Sequence, residues 1–135
     1  MRFVVLVKAN KESEAGVLPT AEQLDEMGRF NEELAKAGVL LAADGLQASS
    51  KGARISFSNR KAAVLDGPFA ETKELVAGFW IVQGKSKEEV IERFVHAPFD
   101  EGEIEIRQIF EAEDFGEALS PELRERETAL REVLQ

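Results

Sequence analysis

Among 26 carboxylates and a single histidine, Asp66, His96 and Glu105 are the candidates for moving a proton. A carboxylate serves as a general base when burial or a like charge raises its affinity for a proton, and histidine is the side chain that ordinarily titrates near neutrality. Brought within hydrogen-bond reach of one substrate, such groups support isomerisation or elimination with no cofactor. Three further residues have the chemistry to hold a ligand. Arg107 offers a planar fork suited to a carboxylate or phosphate, Lys73 offers a point cation, and Trp80 offers a broad apolar ring with one N–H. The set points to a small, anionic molecule.

Each candidate also has a structural reading. Asp66 precedes Gly67-Pro68, where an Asp closes an Asx-type turn on local amides, and the Gly-Pro pair accounts for it without chemistry. His96 stands near the end of a helical segment, where the helix dipole favours a cation. Glu103, Glu105 and Arg107 share one face of a strand and can pair with one another in solvent. Lys73 lies between Glu71 and Glu74. Phe79 and Trp80 point to opposite sides, so one enters a core and the other faces outward.

These residues need elements to position them. Phe3 to Val7 predicts a central strand, apolar on both faces. Lys8 to Pro19 reads as a loop. Thr20 and Gln23 form a capping box that opens a helix, Leu24, Met27, Phe30 or Asn31, and Leu34 give it an apolar stripe, and Gly38 ends it. Val39 to Ala43 predicts a second strand, broken or bulged at Asp44-Gly45. After a loop at Lys51-Gly52, Arg54–Ser58 and Ala62–Leu65 predict a hairpin about Asn59-Arg60, and the loop Asp66-Gly67-Pro68-Phe69 follows. Leu75 to Gln83 predicts the next strand. Ser86 and Glu89 form a second capping box, and Val90, Ile91, Phe94 and Val95 line the helix that Pro98 stops. Glu103 to Phe110 alternates, with Ile104 and Ile106 on one face and Glu105 and Arg107 on the other. Ser120-Pro121 opens a last helix with a thin stripe of Leu119, Leu123, Leu130 and Leu134. The order predicts an α+β, ferredoxin-like sandwich with an inserted β-hairpin and an extra C-terminal helix. Its helices cover one sheet face, and dimerisation is the simplest cover for the other.

Bulk properties exclude several classes. The 135 residues suit one domain. A formal charge of −9 argues against direct nucleic-acid binding and against an anionic membrane surface. With no cysteine and one histidine, disulfides, thiolate sites and a multi-histidine metal site within one chain are excluded. No phosphate-binding glycine loop of the standard kind is present, and no cofactor is expected. No apolar run approaches a transmembrane length, and the N-terminal segment lacks the length and cleavage pattern of a signal peptide, so a cytoplasmic location is expected.

Several segments together resemble a DGPF-domain protein of the YCII-related family. They are Phe3–Ala9, Leu34–Leu40 leading to Asp44-Gly45-Leu46, and Val64–Glu74 with the Asp66-Gly67-Pro68-Phe69 motif. Gly78-Phe79-Trp80, His96-Ala97-Pro98 and Ile104–Arg107 complete the match. The resemblance covers nearly residues 1 to 115 and divides the chain into a domain at 1–116 and a helical extension at 117–135. It implies a homodimer in the form of a dimeric α+β barrel, binding a small molecule or acting as a cofactor-independent acid/base enzyme of isomerase or lyase type. The alternative it implies is a regulatory or protein-interaction module associated with transcription initiation. The wider family has a candidate catalytic His in its first helix. The matching place here is near Met27, and neither Met27 nor Gly28 can carry a proton.

Overall fold

The computed structural model describes residues 1–134, with Lys73 described by its main chain only. The elements run β1 (Arg2–Lys8), α1 (Lys11–Glu14), α2 (Ala21–Lys36), β2 (Leu40–Gly45), β3 (Ala53–Ser58), β4 (Lys61–Asp66), β5 (Val76–Gln83), α3 (Lys87–Phe94), β6 (Ile104–Gln108) and α4 (Pro121–Leu134). Four strands form one antiparallel sheet in the order β2-β5-β1-β6, while β3 and β4 form a separate two-stranded ribbon. With its helices between the strands, this is the α+β, ferredoxin-like order expected from the sequence.

Alternation along β1 and β5 sorts the core. Phe3 and Val5 face Trp80 and Val82, all buried, and Phe30 and Leu34 of α2 and Val90 and Phe94 of α3 close over them. Phe30, Trp80 and Phe94 meet edge to face, at centroid distances of 5.9, 5.4 and 5.1 Å. The buried indole donates its N–H to Asn31 Oδ1 at 2.7 Å, so Phe30 supplies packing and Asn31 supplies the acceptor.

Local signals place the helix ends. The Thr20 hydroxyl accepts from the Gln23 amide, and the Gln23 side chain accepts from the Thr20 amide. Gly38 follows the C-cap Ala37 at φ +75°, a conformation that favours glycine. The second box is displaced: Ser86 Oγ accepts from the Glu89 amide, but the Glu89 carboxylate accepts from Lys85 rather than Ser86. Asn59 and Arg60 both adopt positive φ, the geometry that joins tightly twisted hairpin strands.

Two local expectations are corrected. The segment read as a loop from Lys8 to Pro19 contains α1, whose cap Asn10 accepts from the Ser13 amide and whose Ser13 hydroxyl accepts from the Asn10 amide. β2 runs through Asp44-Gly45 without a break, because both residues pair with β5, and its irregularity falls between Leu40 and Ala42. No helix among the described residues is long and apolar enough to cross a membrane.

Candidate functional site

The sheet has a second face, turned away from the core. Alternation puts Arg2, Val4, Leu6 and Lys8 of β1 on it, and register brings Ile81 and Phe79 beside Val4 and Leu6 from one side. From the other side Arg107 pairs with Val4, and Glu105 pairs with Leu6. Val4, Leu6, Phe79 and Ile81 are half-buried, an apolar strip with a charged margin.

That margin is a linked set of ions. Lys8 Nζ lies 3.2 Å from one carboxylate oxygen of Glu105, and Arg107 Nε lies 3.9 Å from the other. The Lys8 side chain is 20% exposed and that of Arg107 is 70% exposed, so Lys8 is committed to Glu105 while most of the Arg107 fork remains open to a ligand. At the far end of β1, Arg2 donates from Nε to Glu111 Oε1 at 2.8 Å and from its terminal nitrogen to Oε2 at 3.3 Å. This hydrogen bonding holds the Glu111 carboxyl below its ordinary value, partly opposed by desolvation.

A second cluster fixes the Asp66-Gly67-Pro68-Phe69 loop. The Gly67 amide donates to the Gly52 carbonyl at 2.9 Å, and the Phe69 amide donates to Ser49 Oγ at 3.0 Å. Glu14 in turn accepts from the Ser49 hydroxyl at 2.7 Å and from its amide at 3.2 Å. The Arg54 guanidinium sits 3.9 Å over the Phe69 ring centroid. The Asx-turn reading of Asp66 gives way to this tertiary clamp, because the loop amides are engaged elsewhere and Pro68 has no N–H to give.

The sequence candidates therefore occupy separate regions. Glu105 and Arg107 lie together on the outward sheet face. His96 ends the α3 region in a shallow cleft with Glu33, Glu92 and Arg93, on the helix side of the sheet. Asp66 is exposed at the base of the β3–β4 ribbon. The chain thus does not gather Asp66, His96 and Glu105 at one point. Trp80 is a core residue, 4% exposed with its N–H satisfied by Asn31, which corrects its reading as a ligand contact. Phe79 is the aromatic ring on the outward face. The ligand-binding reading of Lys73 falls on a side chain outside the described residues.

Sequence reasoning missed Lys8 as a partner of Glu105, and missed Glu14 and Ser49 altogether. Lys8 had one legible sign, since it shares alternation with Leu6. The Glu14–Ser49 contact spans 35 residues and leaves no local signature. Among the described residues no group of three or more His, Cys, Asp or Glu side chains is placed to hold a metal ion.

The model of the YCII-related domain matches residues 1–113. No curated protein matches the chain. Among the solved structures that do match is 5-chloro-2-hydroxyhydroquinone dehydrochlorinase from Burkholderia phenoliruptrix AC1100, in complex with 2,5-dihydroxybenzoquinone. It is 12% identical, with 82% of this chain and 94% of that one covered, at a TM-score of 0.46.

Proposed function

Because the chain belongs to the YCII-related family, we propose that it is a homodimeric small-molecule protein whose site lies on the outward sheet face, with proton transfer as its chemistry. The observation that carries this reading is the Lys8–Glu105–Arg107 cluster beside the apolar strip of Val4, Leu6, Phe79 and Ile81. A second copy laying its own sheet face opposite would enclose the strip and form an α+β barrel. In this reading residues 1–116 form the family domain, and 117–135 form a C-terminal extension that contains α4.

The geometry favours an anionic head on an apolar body. Arg107 takes the head in its fork, and the body lies over Leu6 and Phe79. Glu105 then accepts a proton from the carbon next to the anionic group. Returning that proton to another carbon completes an isomerisation, and departure of a leaving group completes an elimination. Neither route calls on a cofactor. Of the three proton-moving candidates the proposal rests on Glu105, since Asp66 and His96 lie elsewhere in their own chain.

Benzoate, an anion on an apolar ring, is a suitable probe. Titrated by NMR, it is expected to shift resonances of β1, β5 and β6. A hydrogen bond to a charged group contributes about 1.5–3 kcal/mol, so Arg107→Met should weaken binding about tenfold or more. Asp66→Asn and His96→Gln should leave the affinity unchanged. Equal affinity in Arg107→Met and the native chain would exclude the outward face as the site.

A further inference from the structure

The ribbon of β3 and β4 poses a problem of stability. Both strands are exposed along their whole length, and a lone two-stranded hairpin is marginal in water. Register places Ile55 opposite Val64 and Phe57 opposite Ala62, all on one face. Ile55, Phe57 and Val64 are 57%, 75% and 68% exposed. That is an apolar face with no cover among the described residues of its own chain.

Charge and length point to what covers it. Residues 51–66 carry Lys51, Arg54, Arg60 and Lys61 against Asp66, a net of +3 within a chain of net −9. Arg60 and Lys61 lie at the tip of the ribbon and Lys51 at its base, while Arg54 alternates onto the opposite face and covers Phe69. Residues 110–134 carry eight carboxylates against three arginines, a net of −5. This C-terminal arm is also apolar in part. Phe110 stacks on Phe115 at 4.8 Å with both rings exposed, and Leu123, Leu130 and Leu134 are exposed along α4. Six strand residues extend ~20 Å, and the 14-residue α4 extends ~21 Å, so the two surfaces match in length.

Surface area indicates the source. A compact monomer of 14.9 kDa exposes roughly 7,000 Å². This chain exposes 10566 Å². The surplus of roughly 3,500 Å² exceeds the ~1,000–2,500 Å² that each chain of an obligate homodimer buries. Within one chain α4 folds back on residues 110–119, with Arg124 and Arg131 facing Phe110 and Phe115 across a groove, and the described residues of the arm leave the ribbon bare.

We infer that the apolar face of the β3–β4 ribbon is covered by the C-terminal arm of a second copy, reciprocally, in an arm exchange distinct from the facing of the two sheets. The inference rests on the homodimer proposed above. Opposite charge guides the two surfaces together, and burial of Phe57 against the leucine stripe holds them.

The native chain has no cysteine, so disulfide trapping can interrogate one pair at a time. Phe57→Cys and Leu130→Cys alter exposed side chains and leave the core intact. Mixed and oxidised with glutathione disulfide, the two variants should form a covalent 57–130 dimer several-fold faster than Phe57→Cys mixed with Val17→Cys, a control at another exposed position. Sedimentation of the native chain separates the two readings. A dimer of about twice 14.9 kDa whose 57–130 pair is trapped no faster than the control would overturn the arm exchange and leave the homodimer standing. A monomer would overturn both. An internal disulfide in the chain carrying both substitutions, without covalent dimer, would assign the arm to its own ribbon and likewise overturn the exchange.

Discussion

Asn31 and Trp80 show how one polar contact secures a core. The indole is buried among Phe30, Phe94 and Phe99, and its N–H has Asn31 Oδ1 at 2.7 Å. Leaving a buried donor unpaired costs about 1–3 kcal/mol, so Asn31→Ala should lower the denaturant midpoint by an equivalent amount. In the Trp80→Phe background the same change should cost less, because no donor is stranded, and a double-mutant cycle measures the difference. Arg2 and Glu111 provide a pH signature. The Glu111 carboxyl sits below its ordinary 4.5 because Arg2 hydrogen-bonds the ionised form. The stabilisation is therefore present in full above about pH 4.5 and is lost as the pH falls through the lowered value. The Tm difference between the native chain and Arg2→Met should be largest above pH 5 and shrink toward acid. A difference that grew on acidification would remove this pair as a source of acid sensitivity. Lys8, Glu105 and Arg107 belong to the same scale, as separately legible ions whose meeting depends on the β1–β6 register.

Among the elements, the Asp66-Gly67-Pro68-Phe69 loop matters for how it docks. A Cβ built on Gly67 would overlap the Ser49 carbonyl oxygen, a backbone atom that cannot turn aside. Overpacking of this kind costs about 1–3 kcal/mol, so Gly67→Ala should destabilise the protein by that amount and speed amide exchange at Phe69. Retention of native exchange at Phe69 would show that the loop does not depend on this close approach. The Thr20–Gln23 capping box, the Ser86 cap and the Asn59-Arg60 turn were legible in the sequence, because each is decided by residues within four positions of one another, whereas the equally local Asn10–Ser13 box was passed over. The clamp of Glu14 and Ser49 on the loop was not, since its partners lie 35 and 20 residues apart. The alternation of β6 correctly divided Ile104 and Ile106 from Glu105 and Arg107, but it could not say which strand would lie alongside.

At the scale of the whole molecule, surface is distributed unevenly. The core gathers on the helix side of the sheet, while the outward face, the ribbon and α4 keep apolar residues in contact with solvent. In the homodimer proposed above, these are the parts that would gain stability from the partner. On dilution below dimer dissociation, amides of β3 and β4 should lose exchange protection first, and those of β1 and β5 last. Uniform loss across both sheets would mean that the ribbon does not depend on association. The sequence by itself determined the family, the α+β order of elements, the caps of α2 and α3, the hairpin turn and the two-sided character of β1. Those properties are written in local periodicity and in residues a few positions apart, where backbone geometry leaves few choices. Only the tertiary structure decided that Trp80 turns inward and Phe79 outward. It also decided that His96 and Glu105 lie on opposite sides of the sheet, that Asp66 stands apart from both, and that Lys8 meets Glu105. The choice of face for a strand is a sum over long-range contacts, and moving a strand by one residue exchanges all its inward and outward side chains.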